Sequence, residues 1–191
     1  MTKLVMVLRI VPLLAFAGPM LLSVTRHRRG AETRSRRSGS DRAPLVASFA
    51  AFGLYVPSLL VFSAGFTGST ALWLAASGAL LGLAGAAIVV QSRAELGPAW
   101  SLVPKADQGT GLVTTGPYRL VRHPIYLGFL LLAMGEALAF GSWPAVMIVL
   151  FALAPTFAWR ARTEEELLRQ TFGDRYIVYQ QRTRMIVPFL F

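Results

Sequence analysis

The chain has 191 residues, 54% of them hydrophobic and only 15% charged, against about 25% charged in an ordinary soluble domain. With a mean hydropathy of +0.54, this excludes a disordered chain and argues against a water-soluble globule. The absence of cysteine excludes disulfides, thiolate nucleophiles and Cys-ligated metals. The net charge of +10 sits in hydrophilic breaks between apolar runs, which membrane topology explains more simply than nucleic-acid binding.

A helix needs about 20 apolar residues to cross a bilayer core. The first candidate is 4–24, interrupted by Arg9, Pro12 and Pro19. Lys3, Arg9 and Ala15-Phe16-Ala17 also have the look of a signal peptide. Cleavage there would leave an arginine-rich loop leading a translocated chain, so the run is read as a span. The second span is 45–66, without charge, and the third is 71–90, uncharged and rich in Gly and Ala. A short fourth run, 125–140, encloses Glu136, and a fifth covers 144–159. Gly141-Ser142-Trp143-Pro144 between them reads as a tight turn. The last two runs are therefore a helical hairpin, short enough to cross incompletely. Residues 160–184 are polar and helix-periodic.

Charge asymmetry orients the layout. Loop 25–44 carries seven arginines. With loop 91–124 and the C-terminal segment it holds 17 of the 19 Lys and Arg, which places these segments in the cytoplasm and the N-terminus outside. The arginine cluster either retains its loop there or touches anionic lipid, each basic residue near the surface being worth roughly 1 kcal/mol.

Chemistry concentrates in two stretches. Residues 116–128 read GPYRLVRHPIYLG, with Gly116-Pro117 as a turn and Pro124 suited to a first helical turn. His123 then falls near a helix N-cap, where amides and the dipole favour an anionic group. The second stretch is Glu164-Glu165-Glu166-Leu167-Leu168 followed by FGDRYIVY at 172–179. Thr163 and Glu166 form a capping-box pattern for a helix start. Tyr176, Tyr179 and Arg182 share a helical face by spacing. Taken singly, the glutamates could be a solvated first turn and the tyrosines an interfacial belt.

Together the two stretches, with Leu112-Val113-Thr114-Thr115 and Val187-Pro188 at their borders, resemble the superfamily of isoprenylcysteine carboxyl methyltransferases and phospholipid methyltransferases. The resemblance covers about 95–190. With the apolar runs, the expected fold is all-helical and polytopic with about five spans, residues 1–92 forming a three-span unit and 93–191 the catalytic region to which the resemblance applies. The resemblance implies S-adenosylmethionine as cofactor and a lipophilic acceptor, for which a carboxylate comes first. By matching position, Tyr118, His123, Pro124, Tyr126 and Gly128 would line one wall of the cofactor pocket. Glu165 or Glu166, with Tyr176 and Tyr179, would close the other. Arg122, Arg182 and Glu165 are the expected catalytic groups, and Arg182 with Glu136 the expected acceptor contacts. Trp100 and Ser101 are candidates for a lid.

Other readings stay in view: an amine or phospholipid N-methyltransferase, an NADPH-dependent membrane sterol-type reductase, and a non-catalytic membrane module. The reductase shares RHPxYxG, but Ile125 within that motif and the glutamate triplet argue against it. Two distant histidines without cysteine make a poor metal-ligand set, so no metal is expected, and no nucleic acid. The Arg- and Ala-rich composition points to a GC-rich bacterial genome and hence a bacterial cytoplasmic membrane.

Overall fold

A computed structural model describes residues 2–27, 43–63, 65–97 and 111–187. Among these described residues six helices follow in chain order: α1 (Thr2–His27), α2 (Ala43–Val61), α3 (Gly68–Leu96), α4 (Pro124–Phe140), α5 (Trp143–Phe172) and α6 (Asp174–Arg182). A 3-10 turn, Gly116–Arg119, precedes α4. Among the described residues no β-strand forms, and one isolated parallel bridge joins Val121 to Arg184. The arginine cluster beyond His27 and the pair Trp100–Ser101 lie outside the described residues.

Helices α2, α3 and α5 are each long and apolar enough to cross a bilayer. Their outward faces carry large apolar side chains, among them Trp73, Leu80 and Phe151, each at least 73% exposed. Such surface is costly in water and suits lipid. Helix α4, with 17 residues, spans about 25 Å. The hairpin is unequal: α5 is a single helix of 30 residues, so the expected stop at 159 and restart at Thr163 are overturned. The Thr163 hydroxyl donates to the Trp159 carbonyl at 3.2 Å, one turn back inside the helix. A capping box works only where the chain before it is not already helical. The actual break is Gly173, whose φ of +53° favours glycine. Trp143 and Trp159 lie 16 residues apart on α5, both exposed, about 24 Å along the axis. They bracket the apolar part of the helix as interfacial anchors do. The polar turns from Arg160 onward lie beyond it.

The hairpin tip follows the turn chemistry of its sequence. Gly141 closes α4 in the left-handed region. The Ser142 hydroxyl accepts from the Ala145 amide at 3.4 Å and donates to the Ser58 carbonyl at 2.9 Å, tying the tip to α2. On α2 itself the Tyr55 hydroxyl reaches the Ala133 carbonyl of α4 at 2.7 Å. Helix α1 is held by Arg9, whose Nε donates to the Ala139 carbonyl at 2.8 Å while its guanidinium lies 4.9 Å from the Phe140 ring centre.

The Gly- and Ala-rich composition of α3 has a packing cause. Gly78, Gly82 and Gly85 face α4 at Gly128, Leu132, Gly135 and Ala139 so closely that backbones touch, as small residues allow in membranes. Gly128 therefore turns the face where a side chain would stand against α3. A Cβ there would stand 2.7 Å from the Gly85 carbonyl oxygen and 2.6 Å from Val89. Gly128→Ala is expected to destabilise the protein by about 1–3 kcal/mol through overpacking. Gly53→Ala, with nothing within 4 Å of the new methyl, serves as the neutral control. Thermal unfolding in detergent checks both, and equal midpoints would contradict this packing.

Candidate functional site

The site forms where three segments meet at the polar end of the hairpin. Residues 120–123 run alongside the chain that leaves α6. The Arg122 and His123 amides donate to the Arg184 and Met185 carbonyls at 2.7 and 2.9 Å, and the Arg184 amide returns to Leu120 at 3.4 Å. His123 caps α4 with Pro124 in the first turn behind it, as the X-Pro pattern requires. The last turns of α5 then pass across this pair and present Glu164 and Glu165.

His123 is the centre of the cluster. Its Nδ1 lies 3.5 Å from Glu164 Oε2 and its Nε2 lies 3.4 Å from Glu165 Oε1. The second contact is an ion-pair distance without hydrogen-bond alignment, so buried Nε2 has no hydrogen-bond partner. The imidazole stacks on the Tyr126 ring at 5.6 Å, and that ring stacks on Phe157 at 5.1 Å. The Tyr126 hydroxyl donates to Glu164 Oε1, the oxygen that also accepts from Arg160 Nε at 3.2 Å.

Glu165 has both oxygens engaged. Oε1 accepts from Arg122 Nε at 2.6 Å and Oε2 from Gln180 Nε2 at 2.8 Å. Arg122 also donates through Nη1 to the Thr183 carbonyl at 2.5 Å and the Gln180 carbonyl at 3.3 Å. This fork joins α5, α6 and the segment before α4, a task suited to guanidinium geometry. Tyr179 donates to the Tyr118 carbonyl at 2.7 Å. Tyr176 is fully buried edge-on against Tyr179, and its hydroxyl has no partner.

The electrostatics follow from this crowding. Burial alone would push the His123 imidazole down, but the carboxylates of Glu164 and Glu165 outweigh it and hold the ring above its ordinary value. Burial likewise opposes ionisation of Glu165, yet His123 and Arg122 hold its carboxyl down to about 2. Glu164 is also held below the usual carboxylate range, by His123, Tyr126 and Arg160.

Of the residues expected from the sequence, Tyr118, Arg122, His123, Pro124, Tyr126, Glu165, Tyr176 and Tyr179 converge here. Glu166 is exposed and pairs with Arg169 and Gln170. Arg182 is exposed at the end of α6 and takes no part in the cluster's bonds, although Tyr176 and Tyr179 are buried. Glu136 is 2% exposed with both carboxyl oxygens unpartnered. It stands 12 residues beyond Pro124, about 18 Å along α4, and so apart from the cluster. Sequence reading missed Glu164, Arg160 and Gln180. Arg160 and Glu164 lie at an i,i+4 interval on α5, a signal visible once that helix is known to be continuous. Among the described residues no group of His, Asp and Glu suits a metal.

Comparison with known proteins places this geometry in a context. Protein-S-isoprenylcysteine O-methyltransferase of Schizosaccharomyces pombe is 35% identical over 79 residues, covering 41% of this chain and 34% of that protein. The corresponding enzyme A of Arabidopsis thaliana is 36% identical over 84 residues, covering 44% and 43%. That of Mus musculus is 32% identical over 123 residues, covering 62% and 42%. The matched stretches thus span well under half of these relatives' own length. The solved structure of a eukaryotic intramembrane Ras methyltransferase, isoprenylcysteine carboxyl methyltransferase, superposes with a TM-score of 0.56 at 20% identity, covering 80% of this chain and 55% of that one. It shows a shared multi-pass membrane fold. Residues 73–175, just over half of the chain and the stretch that carries both glutamates and the RHP segment, match the phospholipid methyltransferase family, and the chain belongs to that family.

Proposed function

We propose that the chain transfers a methyl group from S-adenosylmethionine to a lipophilic acceptor that ends in a carboxylate. The observation that carries this reading is the convergence of His123 on both Glu164 and Glu165, which joins the RHPIY and EEELL stretches in one buried polar cluster. Two orphaned atoms of that cluster, His123 Nε2 and the Tyr176 hydroxyl, fit a polar ligand, because buried polar atoms rarely go unpaired. His123 and Tyr176, with the rings of Tyr118 and Tyr179, would hold S-adenosylmethionine, whose sulfonium supplies an electrophilic methyl group. Aromatic faces suit a cation of this kind.

Glu165, with both oxygens committed, orients Arg122. The bonds of Arg122 among the described residues run through Nε and Nη1, so Nη2 is the arm that would align an acceptor carboxylate. Glu164 is taken by His123, Tyr126 and Arg160, and neither carboxylate is free to collect a proton. A carboxylate acceptor, with a reference pKa near 4, is already ionised and needs no base, whereas an amine acceptor would need one. Alignment and exclusion of water are then the main contributions asked of the protein. The relatives' names specify an S-isoprenylcysteine, and that is the acceptor to test first.

The bilayer geometry belongs to the same proposal. We place five spans, α1 to α5, with the N-terminus outside and the cluster, the arginine-rich loop and the C-terminus in the cytoplasm. Protease accessibility of tags on the two termini tests this orientation.

The function is tested by calorimetric titration of detergent-purified protein with S-adenosylhomocysteine and, separately, with NADPH. The expected result is saturable binding of the nucleoside and none of NADPH. Binding of NADPH alone would overturn the reading in favour of a reductase.

A further inference from the structure

Gln180 lies outside both motif stretches, yet it completes the arrangement around Glu165. Its Nε2 donates to Glu165 Oε2 at 2.8 Å, its Oε1 accepts from Arg169 Nε at 3.0 Å, and its main-chain carbonyl accepts from Arg122 Nη1 at 3.3 Å. Arg122 in turn holds the other oxygen of Glu165 at 2.6 Å. Arg122, Glu165 and Gln180 therefore form a closed ring of three bonds, with the amide facing a carboxylate on one side and a guanidinium on the other.

We infer that Gln180 is a positioning residue, whose amide fixes the plane of the Glu165 carboxylate and through it the direction of the Arg122 guanidinium. This rests on the reading of the site given above. The chemistry singles out glutamine. The carboxylate can only accept and the guanidinium can only donate, so the position between them needs one donor and one acceptor on the same side-chain end. Glutamate would serve Arg169 and repel Glu165. Lysine would serve Glu165 and repel Arg169. Asparagine carries the right groups on a stem one methylene shorter. A neutral amide of this length meets both partners, and the partners also fix which end is nitrogen.

The test uses three variants of the full chain, read out by S-adenosylhomocysteine titration and by thermal unfolding without ligand. Gln180→Ala removes the donor and is expected to weaken nucleoside binding about tenfold, the fold-change of one hydrogen bond to a charged group. Gln180→Glu sets two carboxylates together and is expected to weaken it more, by about a hundredfold. The exchange variant Glu165→Gln with Gln180→Glu restores one amide and one carboxylate in swapped places. The amide now on α5 would then donate to the carboxylate now on α6 and still accept from Arg122, while that carboxylate accepts from Arg169. Recovery of affinity to within about tenfold of wild type is expected, because the hydrogen bonds among residues 122, 165, 169 and 180 are all remade, the remaining cost being the charge lost beside His123 and Arg122. A side chain that only filled space would show no such recovery. Wild-type affinity in Gln180→Glu, or an exchange variant no better than that single variant, overturns the inference. The ligand-free midpoints keep it distinguishable from the function proposal. If wild type binds no nucleoside, the methyltransferase reading fails, yet the 165–180 coupling must still appear as a recovered unfolding midpoint in the exchange variant. Its absence there overturns the positioning role by itself.

Discussion

Arg122→Ala is expected to abolish measurable S-adenosylhomocysteine binding and to lower the unfolding midpoint in the absence of ligand. Among the described residues, Arg122 is the one side chain that bonds to both α5 and α6 while its own backbone pairs with the C-terminal segment. Removing it leaves the buried Glu165 carboxylate without its nearest counter-charge and the Thr183 and Gln180 carbonyls without their donor. Breaking a buried pair from one side costs about 3–5 kcal/mol. Nucleoside affinity falls with it, because His123 and Tyr176 keep their relative placement only while these segments stay joined. A fall of at least a hundredfold is expected by titration. Arg122→Lys should recover little. An ammonium can neutralise Glu165, but it lacks the fork that reaches Glu165 and the Thr183 carbonyl together. Wild-type affinity in the lysine variant would show that charge alone suffices and that the fork geometry carries no weight.

Much of the fold was legible because bilayer crossing has a simple requirement of length and apolarity. Helices α2 and α3 start within three residues of the apolar runs that announced them, although α2 ends five residues early and α3 runs six residues further, and the hairpin tip sits at Gly141-Ser142, where turn chemistry put it. The boundary of α5 was not legible. Thr163 with Glu166 is a sound local start signal, but apolar packing upstream had already committed the chain to a helix. Misplacing that start also hid the phase of the glutamates. Counted from Phe157 and Ala161 along a continuous helix, Glu164 and Glu165 fall on the inward side and Glu166 on the outward side, which is how the structure exposes them. Gly128 illustrates a different ambiguity. A glycine in a motif can mean close approach of a ligand or of another helix, and the sequence does not say which. Arg182 shared a face with Tyr176 and Tyr179 by spacing, but each step of three residues falls about 60° short of a full turn, so Arg182, the last residue of α6, stands about 120° from Tyr176 and faces out, while Thr183 takes the buried side. The RHP stretch was readable as chemistry because His, Arg and Pro are costly at a membrane edge without a purpose. Gln180 carried no signal at all, since its importance lies in two partners distant in sequence.

Shortening α5 by one residue should give opposite outcomes at two sites seven residues apart. The buried positions Ala145, Val149, Leu153, Phe157, Ala161 and Glu165 recur every four residues. A regular α-helix drifts by about 40° at each such step, so an unbroken stripe of this kind would wind away from its partners. Residues Val149–Leu153 form a π turn, which takes one extra residue to close its hydrogen bond and so sets back part of the drift. The rest is matched by a change of partner, from the α2–α4 core around Val149 and Leu153 to Tyr126 and Ile186 around Phe157 and Ala161. Phe151 within the π turn is 75% exposed. Deleting Phe151 closes the π turn into an ordinary α turn and leaves both flanks in phase, so nucleoside affinity should stay within about threefold of wild type. Deleting Ala158, in regular helix, rotates everything beyond it by about 100° and shortens the helix by about 1.5 Å. Glu164 and Glu165 then turn away from His123, or Thr156 is drawn into the place of Phe157, and binding should be lost in either case. Titration of the two deletion variants decides the matter. Equal losses in both would show that the π turn holds no slack and that the register of the site is set elsewhere.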